Sequence, residues 1–170
     1  MRLFARAIIA AAAIVGGAIS YAQPALAASQ TATVKATVAK PLTLTRVQDL
    51  DLGTIVLGFG SWSTSAVGIT RAGIFSCGPN VTCIGTTKVA KYNVTGSNNQ
   101  AIRISAPNVT LVNQADSTKT LTLVVDSPGT VTLPNSGNQG SDFPLGGSIT
   151  LSSSTAGGTY SGTFNVTIDY

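Results

Sequence analysis

Apolar and polar residues alternate one for one along much of the chain. Ala32, Val34, Ala36 and Val38 are interleaved with Thr31, Thr33, Lys35 and Thr37; Leu42 and Leu44 with Thr43 and Thr45; Leu50 and Leu52 with Asp49 and Asp51. The same period recurs in Ile102 and Ile104, in Leu121 and Leu123, and in Ile149 and Leu151. It is clearest in the closing run, where Phe164, Val166, Ile168 and Tyr170 face one way and Thr163, Asn165, Thr167 and Asp169 the other. A period of two puts alternate side chains on opposite faces of an extended chain, so these runs predict strands with one buried face. Between them stand turn clusters at residues 58–61, 96–99, 126–129, 134–138 and 152–158, rich in Gly, Asn, Ser and Pro. Many short, half-apolar strands punctuated in this way predict an all-β fold of two antiparallel sheets packed as a sandwich over residues 41–170. No internal repeat suggests a propeller or solenoid.

The first residues follow a different rule. Arg2 and Arg6 precede an Ala-rich apolar stretch, residues 7–19, and Ala25, Leu26 and Ala27 form an A-x-A cleavage sequence. This is the pattern of a cleaved signal peptide over residues 1–27, and the apolar stretch falls short of the roughly 20 residues a spanning helix needs. The expected destination is the periplasm, the cell surface or the extracellular space, with no integral membrane segment after cleavage.

Composition narrows the chemistry. The 170 residues contain no His and no Glu, and only 9% are charged. Much general acid–base and zinc chemistry therefore lacks its usual residue, and neither catalytic residues, nor a metal, nor a cofactor is expected. The net charge of +4 includes Arg2 and Arg6, leaving +2 on the remainder, too little to suggest a nucleic-acid partner. Thr, at 23 residues, and Val, at 15, supply the β-branched side chains that suit a pleated surface.

Few positions invite a functional reading. Cys77 and Cys83 flank a Gly78-Pro79-Asn80 turn, and in an oxidising compartment they are expected to close a structural disulfide worth roughly 2 kcal/mol by chain entropy. Asp49 and Asp51 share a strand face but supply too few oxygens for calcium, so a solvated polar face is expected. Ser61, Ser63 and Ser65 lie outside any nucleophile motif. Trp62, the one Trp, sits in a Gly/Ser-rich segment and is a candidate stacking residue for a sugar or other apolar partner, or a core residue. Four Asn-Val-Thr triplets, at Asn80, Asn93, Asn108 and Asn165, follow from the Thr- and Val-rich composition.

The two ends carry the functional argument. The closing strand has no later segment to cover its edge, and Tyr160, Phe164, Val166, Ile168 and Tyr170 form a candidate acceptor edge. Residues 28–40 are an N-terminal extension or first strand. Its run over residues 29–40 spans roughly 40 Å when extended, and Ala32, Val34, Ala36 and Val38 would be the buried face of a candidate donor strand. Donated to another copy head to tail, that strand builds a fibre; folded back, it completes its own sandwich. Periodicity alone leaves both open.

The stretch from Ala36 through Lys40-Pro41 to Leu44, then Leu50-Asp51-Leu52-Gly53-Thr54-Ile55, Lys91-Tyr92-Asn93-Val94-Thr95-Gly96, Leu145-Gly146-Gly147-Ser148-Ile149 and residues 156–170 resemble an uncharacterised family of exported bacterial proteins, domain of unknown function 4402. Leu52 stands where that family usually has an aromatic residue, and the segment around Cys77 and Cys83 looks like an individual insertion. The closing strand is more distantly similar to the spore coat protein U type of subunit in archaic chaperone-usher pili. That similarity implies an immunoglobulin-like sandwich lacking one strand, which a neighbouring subunit supplies, with a periplasmic chaperone and an outer-membrane usher as partners. Neither resemblance implies catalytic residues. Two expectations result: a pilin-like structural or adhesive surface subunit, forming a homo-polymer or joining other pilus subunits, or a monomeric binding module for carbohydrate or another envelope component.

Overall fold

The computed structural model describes residues 29–134 and 140–170. The expected signal peptide and most of the expected turn at residues 134–138 lie outside the described residues. Among the described residues every regular element is a strand, and no helix is long and apolar enough to cross a membrane. In chain order the strands are β1 (Thr43–Gln48), β2 (Thr54–Leu57), β3 (Ser65–Ile69), β4 (Phe75–Cys77), β5 (Val81–Ile84), β6 (Ala90–Thr95) and β7 (Ala101–Ser105). They continue as β8 (Val109–Asn113), β9 (Thr120–Asp126), β10 (Thr130–Thr132), β11 (Ser141–Leu151), β12 (Tyr160–Ser161) and β13 (Thr167–Asp169). All pairings are antiparallel, so the expected all-β sandwich is the fold found.

β11 is the spine of the larger sheet. Its first half, from Ser141 to Leu145, pairs with β6, which pairs in turn with β1. Its second half pairs with β9 on one edge and β3 on the other, and β8, β12 and β4 extend those flanks. Pro144 is accommodated because that stretch pairs with β6 alone, so a missing N–H leaves no second ladder broken. At the handover stands Gly146, where a Cβ would press against the backbone of Ile69, Thr70 and Arg71. A side chain there would separate β11 from the chain leaving β3.

The facing layer comes in two pieces, β10-β7-β13 and β2-β5. Each covers its own apolar cluster. Tyr92 and Val94 of β6, Phe143 and Leu145 of β11, and Ile102 and Ile104 of β7 form the first, with Tyr92 and Phe143 stacked at 5.7 Å between ring centroids. Val67, Val109, Leu123, Ile149 and Leu151 form the second, against which β2 and β5 pack Ile55, Leu57 and Val81. Leu50 and Phe164 touch both clusters.

Two expectations are modified. The closing run is not one strand: β12 joins β8 in the larger sheet while β13 joins β7 in the facing layer, so the chain changes layer between Ser161 and Thr167. The alternation at Leu50 and Leu52 is real in its burial but forms no strand, only one backbone bridge from Asp51 to Lys88. The expected disulfide is formed, with Cα atoms 6.1 Å apart. It does more than close a local turn, because Cys77 lies in β4 of the larger sheet and Cys83 in β5 of the facing layer.

The chain divides into two units, Met1–Ala36 and Thr37–Tyr170. In the first, the described residues 29–36 form no strand and are exposed throughout. In the second, residues 37–40 are likewise exposed, and Lys40 is held by two bonds, with a third joining its two partners. Its N–H donates to the Ser97 hydroxyl (2.6 Å), its carbonyl accepts from the Tyr170 hydroxyl (2.5 Å), and the Ser97 N–H donates to the Tyr170 oxygen (2.8 Å).

Candidate functional site

A gap between β2 and residues 155–162 leaves the second cluster incompletely covered. A groove of about 550 Å³ opens there. Its floor is the apolar face of β8, β9 and the second half of β11, including the cross-strand pair Leu111 and Leu121. Both of these leucines are half-buried, whereas Leu123 and Leu151 beside them are fully buried.

One wall is β2 with the segment leading into it. Ile55 and Leu57 point inward because they alternate with Thr54 and Val56, which face water. Among the described residues β2 is paired only with β5, and β5 does not line the groove, so the edge of β2 that faces away from β5 borders it. Unpaired strand edges carry a row of N–H and C=O groups ready to bond another chain. The single charged lining residue, Asp51, turns its carboxylate back to accept the Gly53 N–H at 2.8 Å.

Residues 155–162 form the other wall, and Asn113 anchors them. Its side chain is buried, donates to the Gly157 carbonyl (3.0 Å) and accepts from the N–H groups of Ala115 (2.9 Å) and Asp116 (3.3 Å). One amide thus ties the β8–β9 turn to the glycine segment. Gly158 has φ of 143° and lies so close that a Cβ there would meet the Asn113 amide. Nearby, the Tyr160 hydroxyl donates to the Ala156 carbonyl (2.8 Å), and Gln114 donates to Ser161 Oγ (2.7 Å). Asp116 holds Thr118 through its N–H and hydroxyl, which depresses the carboxyl pKa.

The expected site residues are distributed across this framework. Of the candidate acceptor edge, Tyr160 and Phe164 line the groove, Val166 and Ile168 pack in the first cluster, and Tyr170 bonds Lys40 and Ser97. The candidate donor residues Val34 and Val38 are 91% and 92% exposed, and Ala32 and Ala36 are exposed as well. Trp62 is half-buried, packs against the second cluster and donates its indole N–H to the Gly58 carbonyl (3.3 Å), away from the groove lining. Asp49 pairs with Arg46 at 2.9 Å. Among the described residues no three His, Cys, Asp or Glu side chains gather to hold a metal.

Sequence reading missed the groove floor and Asn113. Leu121 was legible as the apolar face of a strand, but half-burial depends on what lies opposite. Asn113 sits at a strand end, where an Asn is ordinary turn chemistry. What sets it apart is burial, and no local pattern carries that.

No curated protein and no solved structure matches the chain. The family model described as Domain of unknown function (DUF4402) matches residues 42–170, a span that takes in both apolar clusters, the groove and its two walls. The chain belongs to the DUF4402 family.

Proposed function

We propose that this protein is an exported, pilin-like structural subunit whose groove takes up an extended strand from another copy, and that residues 29–40 are that strand. One observation carries the reading: among the described residues an apolar groove lies uncovered beside a strand edge without a partner, and a strand-patterned segment likewise has no strand partner. Each has what the other lacks. A strand laid along β2 would satisfy its edge, and Ala32, Val34, Ala36 and Val38, all on one face, would cover Leu111 and Leu121.

The reading assigns the strand to a second copy. Lys40 is pinned beside Tyr170. Donated by a neighbouring copy, the segment would bring all four side chains to the groove. Such a contact uses different surfaces on the two copies and propagates as a fibre. Until it is made, the groove is an aggregation hazard, which suits cover by a periplasmic chaperone and delivery by an outer-membrane usher.

The test is electrophoresis of purified full-length chain without boiling, beside a variant lacking residues 28–40. Ladders that resist SDS and vanish with the deletion are the expected result. A stable monomer in both would overturn the proposal, and quenching of Trp62 fluorescence by glycans would then favour a monomeric carbohydrate-binding module.

A further inference from the structure

We propose that the Cys77–Cys83 disulfide positions the groove wall, holding β2 at the spacing from the floor that an incoming strand needs. The inference rests on the groove being a strand acceptor. It starts from how little else attaches that wall. β2 and β5 pair with each other and with no strand of the larger sheet. A two-stranded ribbon is marginal by itself, so its placement depends on a few anchors.

Toward one end of the pair the Asp51–Lys88 bridge, two backbone bonds of 2.8 Å, only ties the flanks of β2 and β5 to each other. At the other, the turn joining β4 to β5 rests on β3: the Ser65 hydroxyl donates to the Pro79 carbonyl, and Gly78 lies against Ala66 too closely to admit a Cβ. Beside that turn contact, the disulfide is the one covalent crosslink among the described residues. Its two cysteines are cross-strand partners of residues that matter to the groove. Cys83 is opposite Ile55, whose side chain lines the wall, and Cys77 is opposite Val67, which is fully buried in the cluster beneath. The path from wall to core is thus Ile55, Cys83, Cys77, Val67. A fixed wall keeps the groove ready before the strand arrives, so less ordering has to accompany binding.

Two full-length variants test this, Cys77→Ser with Cys83→Ser, and Cys77→Val with Cys83→Val; the second retains apolar packing at Cys83, which touches the second cluster. Hydrogen exchange and SDS-resistant ladder yield are read on each. In both variants the amides of β2 and β5 are expected to exchange at least about tenfold faster while those of β9 and β11 keep their protection, with ladder yield falling several-fold. Unchanged exchange in β2 and β5 would overturn the inference. So would loss of protection throughout, or failure of both variants to fold, since the bond would then hold the whole domain. If β2 and β5 loosen selectively but ladders persist at the wild-type yield, wall placement does not matter to strand uptake and the inference falls. If oxidised wild-type chain makes no ladders, the strand-acceptor reading fails instead, and the exchange data still decide whether the bond holds the wall.

Discussion

Asn113 offers the most direct way to disturb one groove wall while sparing the apolar clusters. Its amide is 2% exposed and makes three hydrogen bonds: to the Gly157 carbonyl and from the N–H groups of Ala115 and Asp116. Asn113→Ala removes all three and leaves a small void. A typical intramolecular hydrogen bond contributes about 1 kcal/mol net, and a partner left buried and unpaired costs about 1–3 kcal/mol. Ala115, Asp116 and Gly157 are themselves exposed residues, so their backbone groups regain water and the larger penalty does not apply. The sum is about 3 kcal/mol, equivalent to roughly 12 °C in Tm for a domain of this size. Scanning calorimetry of the monomeric full-length chain measures the fall, and ladder yield measures the effect on the groove. The wall at residues 155–162 should loosen, so yield should drop along with Tm. A Tm within about 2 °C of wild type would refute the account of Asn113 as the anchor.

Other outcomes follow from the same geometry. Leu121→Lys places a charge at a half-buried floor position, where the long side chain reaches water; Tm should change by no more than a few degrees in calorimetry, whereas SDS-resistant ladders should disappear. Gly146→Val would drive a side chain into the backbone of residues 69–71, costing about 3 kcal/mol or more; urea unfolding should show it, and a wild-type midpoint would refute the close approach. Tyr92 has its pKa raised above the usual 10.0, chiefly by burial. A raised folded pKa means that its contribution is fully present below pH 10 and is lost as pH climbs through the raised value, so an alkaline melt monitored by near-ultraviolet circular dichroism should show loss of structure above pH 10, reduced in Tyr92→Phe.

How far the sequence discloses this molecule depends on what a two-residue period can report. At Ile102 and Ile104 it reports correctly: both are buried in β7, and Arg103 and Ser105 are exposed. At Leu50 and Leu52 the inward and outward faces are again correct, although no ladder forms, because facing depends on the local chain and pairing on a neighbour. In the closing run the period continues through Phe164 while the chain crosses from one layer to the other, since both layers present an apolar face to the same interior. Periodicity thus states that a face is apolar, not which surface it meets. The same limit explains why the groove was illegible: Leu111 and Leu121 carry the pattern of core residues, and only the gap between β2 and residues 155–162 leaves them half-covered. Residues 29–38 present the converse case. From Thr31 to Val38 their alternation is as regular as that of β7, yet among the described residues they have no strand partner, and they stand exposed. A strand pattern without a partner and an apolar floor without a cover each violate the rule that apolar strand faces are buried. Setting the strand of one copy into the groove of the next would satisfy both with a single contact, and that economy is the physical case for the proposed assembly.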